Sequence, residues 1–227
     1  MNGKLLDILE KDTRPVAILG AGLSGCAVQK LLSNRNKPSV LFDQKKQSFS
    51  NADAAVSALI VQSPGFSPGH EWIKIAKAND KEVFSEVDVG LSFSNHAEFV
   101  AITGTNGKTS LTSILSHICK ILNIENVEVG NIGKPLSEAV ATEDLRGKVV
   151  FHETSSFQSL SSHAIYPDSV LWTNFAPDHI DYHGTEKAYF LAKFKLAENC
   201  RSPENVFIGS SVFQFAKKHG LQINPKF

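Results

Sequence analysis

The sequence predicts an α/β protein built on parallel sheets and divided into two consecutive parts, and three observations predict it. Apolar runs of strand length alternate with helical patterns, an order that yields parallel strands joined by helical crossovers. Two of these runs pass directly into glycine-rich turns that open a helix, at residues 20–25 and 104–107. Between the two series the alternation lapses over the polar stretch "SFSNHAE" (92–98), then restarts with "FVAITG". A boundary near residue 95 follows, with one domain over 1–94 and a second over 95–227.

In the first series "RPVAILG" (14–20) reads as a strand feeding a helix over 23–34, and "PSVLFD" (38–43) as the next strand. "ALIVQSPG" (58–65) is a third, followed by a helix over 69–79, and "KEVF" (81–84) a fourth. In the second series "FVAITG" leads into a helix over 108–122, then "VEVG" (127–130), a helix over 136–142 and "KVVFHE" (148–153). "DSVLWTN" (168–174), a helix over 185–199, "NVFIG" (205–209) and a final helix from 211 complete it. Nothing repeats at a solenoid period. In such sheets ligands are expected at the carboxyl ends of the strands.

The 227 residues carry 23 Lys plus Arg and 23 Asp plus Glu, so no net field recruits nucleic acid or an anionic membrane surface. Any anionic ligand must be held locally. Cys26, Cys119 and Cys200 lie far apart with no CxxC spacing, which argues against a zinc ribbon or a disulfide framework and fits a reducing compartment. No apolar run reaches the roughly 18 residues of a membrane span. "MNGKLLDILEKD" mixes charges too early for a signal peptide. The expectation is a soluble, cytoplasmic monomer with neither nucleic acid nor membrane as a partner.

"GAGLSG" puts Gly20, Gly22 and Gly25 between a strand and a helix, and Asp43 closes the following strand. Small residues let backbone approach a phosphate at a helix N-terminus, and a carboxylate at the second strand end can accept hydrogen bonds from a ribose or base. This is a Rossmann-like arrangement. The motif alone favours a nicotinamide or flavin dinucleotide, with a ligand-free strand-to-helix crossing as the plain alternative.

In "GTNGKTS" (104–110), Gly104 and Gly107 allow amides to point into one concavity, Lys108 can bridge the outer phosphates of a nucleotide, and Thr109 can offer its hydroxyl to Mg²⁺. The common spacing GxxxxGK[ST] would need glycine at position 102, where Ile102 stands. The loop is therefore a shorter member of the P-loop type.

The stretch "TGTNGKTS" resembles the ATP-binding loop of the Mur ligases, and the likeness extends beyond it. "GNIGKPL" (130–136), "HETSSFQ" (152–158), "NFAPDHIDYHGT" (174–185) and "AYFLAKFKL" (188–196) resemble further motifs of that family in the family's order. "GAGLSG" combined with "GNIG" and "SSFQ" is most similar to the branch that adds D-glutamate to UDP-N-acetylmuramoyl-L-alanine. "DYHGT" is shared with the branch that adds the third peptide residue, which normally lacks both the N-terminal fingerprint and "SSFQ".

The resemblance implies an ATP-dependent ligase that activates a carboxylate as an acyl phosphate for attack by an amine. It implies that Gly104, Thr105, Asn106, Gly107, Lys108, Thr109 and Ser110 hold ATP, and that Thr109, Glu153, His179 and Lys193 serve two Mg²⁺ sites. Lys108, His179 and Lys193 are the implied catalytic residues. Read without the resemblance, Lys193 is one of several lysines on an amphipathic helix with a solvated face; the family implies instead that CO₂ carboxylates it at its terminal nitrogen, a reaction that burial favours. Asn131 and Ser155 would touch the muropeptide, while Leu23, Ser24, Asp43 and the turn from Ser63 to Gly65 would hold the uridine diphosphate. Thr154 departs from a common leucine, and Tyr182 from the arginine of "DHxDRH".

The family has a third domain, and the chain, ending at "LQINPKF", is expected to lack it and to stop inside the central domain. Such a chain is expected to bind the sugar nucleotide without ligating D-glutamate at a useful rate. Three other readings stay open: an NAD-dependent oxidoreductase, a non-catalytic nucleotide-binding module, and the same ligase chemistry on another substrate, such as folate polyglutamylation or the next muropeptide step.

Overall fold

Continuous apolar runs such as "VAIL" are what strands buried on both faces require, and that is how they are used. A computed structural model describes residues 2–94, 97–131 and 133–222. Asn95 and His96, at the expected boundary, and 223–227 of "LQINPKF" lie outside the described residues. The chain forms two compact units. One comprises Met1–Asn95, Lys134–Asp144 and Ser161–Ala164; the other comprises His96–Gly133, Leu145–Leu160 and Ile165–Phe227. Nothing in the amino-acid pattern marks the two short returns to the first unit, because a crossover helix shows the same apolar period whichever unit it packs on.

The first unit runs α1 (Asn2–Lys11), β1 (Val16–Leu19), α2 (Leu23–Asn34), β2 (Ser39–Phe42), α3 (Asn51–Val56), β3 (Ile60–Gln62), α4 (Glu71–Ala78), β4 (Val83–Ser85) and α5 (Glu86–Phe93). Its strands are parallel in the order β2-β1-β3-β4. Successive side chains of β1 serve opposite layers, as strand geometry demands. Val16 and Ile18 pack with Leu5, Leu9, Val28, Leu31 and Leu32, whereas Ala17 and Leu19 pack with Phe42, Phe49, Trp72 and Ile73. α2 can lie this close to β1 only because Gly25 has no side chain: a Cβ there would sit 1.9 Å from the Gly20 carbonyl oxygen.

α3 and α5 open with reciprocal caps, Ser50 with Asp53 and Ser85 with Asp88, each pairing two otherwise orphaned amides. α5 also carries two buried acids that hold the returning segments. Glu86 Oε1 accepts the Ser137 amide at 2.6 Å. Asp88 Oδ1 accepts the amides of His163 at 2.9 Å and Ala164 at 2.7 Å, along with the Ser162 hydroxyl.

The second stretch of chain runs β5 (Glu98–Thr103), α6 (Lys108–Ile121), β6 (Asn126–Gly130), α7 (Leu136–Thr142), β7 (Val149–Glu153), α8 (Ser156–Ser161), β8 (Ser169–Trp172), α9 (Ile180–His183), α10 (Glu186–Glu198), β9 (Val206–Ile208) and α11 (Ser210–Lys218). α7 belongs to the first unit. The strands are parallel in the order β6-β7-β5-β8-β9. β5 is central, with the chain leaving it toward β6 and β7 on one side and later β8 on the other. That reversal opens a crevice at the carboxyl end of β5.

On one face, Val100, Ile102 and Phe151 pack against Leu111 and Leu115 of α6. An aromatic core of Trp172, Phe175, Tyr189, Phe190 and Phe194 lies with Val212 and Ala216 of α11. α10 is buried at Tyr189, Phe190, Ala192, Lys193, Phe194 and Leu196. The solvated face that composition alone suggests for Lys193 is thus replaced by burial, since this helix is covered on more than one side. Among the described residues no helix is long and apolar enough to cross a membrane, and the three cysteines are free thiols.

Candidate active site

The loop after β5 is shaped by its glycines and clamped by the end of β8. Gly104 takes φ +149°, and a Cβ on it would lie 2.0 Å from Thr173 Oγ1; Gly107, at φ +78°, is the N-cap of α6 with no side-chain cap. The first amides of a helix are orphaned donors carrying a partial positive charge, so an uncapped start is suited to an anion. The loop's earlier amides are turned elsewhere. Thr105 donates its amide to the Asn174 carbonyl at 3.2 Å, and Asn106 donates its own to Asn174 Oδ1 at 2.9 Å. Thr173 Oγ1 donates to the Asn106 carbonyl at 2.7 Å.

Lys108 folds its ammonium back over the loop, donating to the carbonyls of Gly104 and Thr105, both at 3.0 Å. Thr109 Oγ1 donates to Glu153 Oε2 at 2.9 Å. Glu153, buried at the end of β7, also accepts from Asn131 Nδ2 through Oε1 at 3.2 Å. Three residues picked out in the sequence for two different tasks, Thr109, Glu153 and Asn131, therefore form one hydrogen-bonded set. Beside it lies a cavity of about 30 Å³ lined by Thr109, Thr112, Ser113, Glu128, Gly133 and Glu153, large enough to hold a water.

Lys193 is 2% exposed. Its Nζ donates to the Gly104 carbonyl at 2.9 Å and to Thr103 Oγ1 at 3.3 Å, and it sits 5.0 Å from the centre of the Tyr189 ring. Burial, reinforced by the Lys108 charge and only partly offset by Asp178 and Glu153, pushes its pKa down to about 7. Burial therefore favours the neutral, nucleophilic form of this amine. Lys108 and Lys193 share the Gly104 carbonyl as acceptor.

His179 takes φ +50° as the N-cap of α9. Its Nε2 lies 3.5 Å from Asp178 Oδ2, and its ring packs against Phe157 and Tyr189, with centroids 4.9 and 6.1 Å away. His183 Nε2 and Ser156 Oγ are 3.0 Å apart. Burial, with the neighbouring His179 and Lys193, holds the His183 pKa below its usual value. Tyr189 is thus flanked by Lys193, His179 and His183. Ser155 spends its hydroxyl and amide on Gln158 Oε1, both at 3.0 Å, as the cap of α8. Ser110 is exposed on the first turn of α6.

In the first unit a cleft of about 460 Å³ is lined by Gly20, Ala21, Gly22, Asp43, Gln44, Lys45, Gly65, Phe66 and His70. It lies at the carboxyl ends of β1, β2 and β3, where the strand order reverses. Ser63 Oγ donates to the Gly20 carbonyl at 3.3 Å and ties the two turns together. Asp43 Oδ1 accepts the Lys45 amide at 2.9 Å. Leu23 is 79% exposed and Ser24 half-buried at the start of α2.

The model of the Mur ligase middle domain matches residues 102–220. The chain belongs to the Mur ligase family. It is 31% identical over 205 residues to UDP-N-acetylmuramoylalanine--D-glutamate ligase of Bifidobacterium adolescentis, covering 85% of this chain and 42% of that protein. To the enzyme of the same name from Aquifex aeolicus it is 32% identical over 202 residues, covering 88% and 48%. The chain spans about half the length of the curated relatives it matches. Among solved structures it is similar to UDP-N-acetylmuramate:L-alanyl-gamma-D-glutamyl-meso-diaminopimelate ligase from Neisseria meningitides, with TM-score 0.61, 12% identity and coverage of 94% and 77%. A murein peptide ligase from Psychrobacter arcticus gives TM-score 0.53 at 13% identity, covering 93% and 52%. These two likenesses speak to the fold.

For a Mur ligase the donor set suits magnesium, which takes oxygen ligands: a hydroxyl and a carboxylate 2.9 Å apart converge at Thr109 and Glu153. Among the described residues no group of three or more His, Cys, Asp or Glu side chains could hold a metal, so water, phosphate or a carboxylated lysine would have to complete the shell. Thr103, Thr173, Asn174 and Tyr189 shape this Mur ligase site without having been singled out in the sequence. Asn174 opens the "NFAPDHIDYHGT" motif and Tyr189 lies inside "AYFLAKFKL", so the signal was there for those two.

Proposed function

We propose that the chain is the nucleotide- and sugar-nucleotide-binding part of a ligase that joins D-glutamate to UDP-N-acetylmuramoyl-L-alanine at the expense of ATP, in the cytoplasmic synthesis of peptidoglycan precursors. One observation carries the reading: the two buried or loop-bound lysines, Lys108 and Lys193, meet on a single carbonyl, Gly104 O, beside the Thr109–Glu153 pair. A loop of this kind binds triphosphate, and a buried amine nearby can be turned into a metal-binding carboxylate.

In this reading the substrate carboxylate attacks the γ-phosphorus of ATP, giving an acyl phosphate and ADP. The D-glutamate amine then adds to the acyl carbon and expels phosphate, leaving an amide. Lys108 would leave the loop carbonyls and bond to the transferring phosphoryl, and the start of α6 would hold its neighbour. Thr109 and Glu153 would hold one magnesium ion, with carboxylated Lys193 and His179 at a second; magnesium there would offset charge on the phosphates. Asn131 and Ser155 would face the muropeptide, and the cleft at Gly20–Gly22, Asp43 and Gly65 would take the uridine diphosphate.

Calorimetric titration of the chain with UDP-N-acetylmuramoyl-L-alanine, UDP-N-acetylmuramic acid and NADH, side by side, tests this. The expected result is binding of the first, weaker binding of the second and none of NADH. Tight NADH binding with none of either sugar nucleotide would turn the first unit into a dehydrogenase domain.

A further inference from the structure

Thr103, the last residue of β5, is fully buried. Its hydroxyl donates to the Thr154 carbonyl at 2.9 Å. With its proton committed there, the oxygen's lone pairs face the Lys193 amine at 3.3 Å. A hydroxyl without that carbonyl partner could rotate and offer the amine a proton instead. The second acceptor, Gly104 O, is shared with Lys108.

We propose that Thr103 is the positioning residue that presents Lys193 to carbon dioxide, by accepting one N–H of the amine while Gly104 O accepts the other, so that the nitrogen lone pair is the valence left unengaged. The inference rests on the reading of Lys193 as a carboxylated lysine. A neutral amine has two N–H bonds and one lone pair, so two acceptors satisfy its hydrogens without engaging the nucleophilic electrons. An ammonium keeps a third N–H, for which the Tyr189 ring face is a weaker partner.

In the step itself the lone pair forms the N–C bond to CO₂, one C–O π pair moves onto oxygen, and the nitrogen releases a proton to water. The product keeps a single N–H and carries a negative charge. Only one of the two acceptors is then needed. When nucleotide phosphates draw Lys108 away, Gly104 O remains for that N–H and Thr103 has completed its task.

The test compares the chain with Thr103→Val, which keeps the shape and removes the hydroxyl, and Thr103→Ser, which keeps the hydroxyl. Each is mixed with ¹³C-bicarbonate, and the growth of the carbamate resonance with time is followed by ¹³C NMR, assigned to Lys193 by its loss in Lys193→Arg. The expected result is a roughly tenfold slower formation of the carbamate in Thr103→Val, the worth of about one hydrogen bond, and a near-normal rate in Thr103→Ser, with the final occupancy lowered in neither because the product no longer needs Thr103. Should the valine variant fail to fold by circular dichroism, Thr103→Cys, a weaker acceptor of similar size, carries the same comparison. A Lys193 carbamate that forms as fast without the hydroxyl overturns the role of Thr103 and leaves the carboxylation reading intact. No Lys193 carbamate in the unsubstituted chain overturns that reading, and the proposal with it.

Discussion

Lys108→Ala is expected to weaken binding of ATP by about 100-fold, the range for removing one member of a desolvated charge contact, while leaving the affinity for a UDP-sugar unchanged. The two halves of the expectation come from different units. Lys108 sits at the first turn of α6, over a loop whose glycines hold it open; the sugar-nucleotide cleft is lined by Gly20, Asp43, Phe66 and their neighbours. In the free chain the ammonium bonds to two carbonyls of its own loop, which are partners it can exchange for phosphate oxygens with little rearrangement. Alanine removes the cation that the turn itself supplies and cannot bridge the outer phosphates. Titrating both variants with ATP in the presence of magnesium, and separately with the sugar nucleotide, reads the effect. Equal ATP affinity in the two chains would remove residues 104–110 from any account of nucleotide binding; a parallel loss of UDP-sugar affinity would show instead that the substitution had damaged the whole fold.

The parts of this site that were legible in the sequence are those where local chain geometry and chemistry coincide. Gly104, Gly107, Lys108 and Thr109 lie within one turn, so the order of residues already states the concavity, the cation and the hydroxyl. The strands were legible because parallel strands buried on both faces must be apolar throughout, and "VAIL" and "VVFHE" read that way until the polar residue at the ligand end. α1 was not. Its Leu5 and Leu9 supply only two buried positions among charges, and α3, α8 and α9, at six, six and four residues, are too short for a period of 3.6 to declare itself.

The contacts that set the chemistry are non-local. Thr103 matters through Lys193, 90 positions later in the chain, and Asn174 holds a loop 68 positions earlier. No spacing rule carries that information, because it arises when β8 and α10 are laid beside β5. Ser155 also makes a local contact. Its place in "HETSSFQ" suggests a ligand contact, and its side chain is engaged in capping α8 with Gln158, a role that any serine three residues before a glutamine at a helix start can take.

Glu86→Gln is expected to stabilise the first unit increasingly as the pH rises, by about 3 kcal/mol at pH 8 relative to pH 4. Glu86 is 1% exposed, and burial pushes its pKa from 4.5 up to about 7, with the Ser137 amide opposing the rise and the Asp88 charge adding to it. Oε1 has the Ser137 amide, whereas Oε2 has no partner among the described residues. The folded chain therefore keeps the proton over a range where the unfolded chain has released it, and raising the pH through that range draws the equilibrium toward the unfolded state. Stability conferred by the neutral acid is complete below pH 4.5, is lost as the pH climbs through 7, and at about 1.4 kcal/mol per decade the span amounts to the figure above. Glutamine has the same shape and no charge to desolvate, so the difference between the two chains isolates this group together with its coupling to Asp88. Hydrogen exchange at the amides of β1 and β3, compared between the two chains at each pH, reads the effect at the core strands of the first unit. A difference that stays flat from pH 4 to pH 8, or one that grows in favour of glutamate, would mean that the carboxylate is ionised in the folded chain across this range and that the α7 amide, rather than burial, governs it.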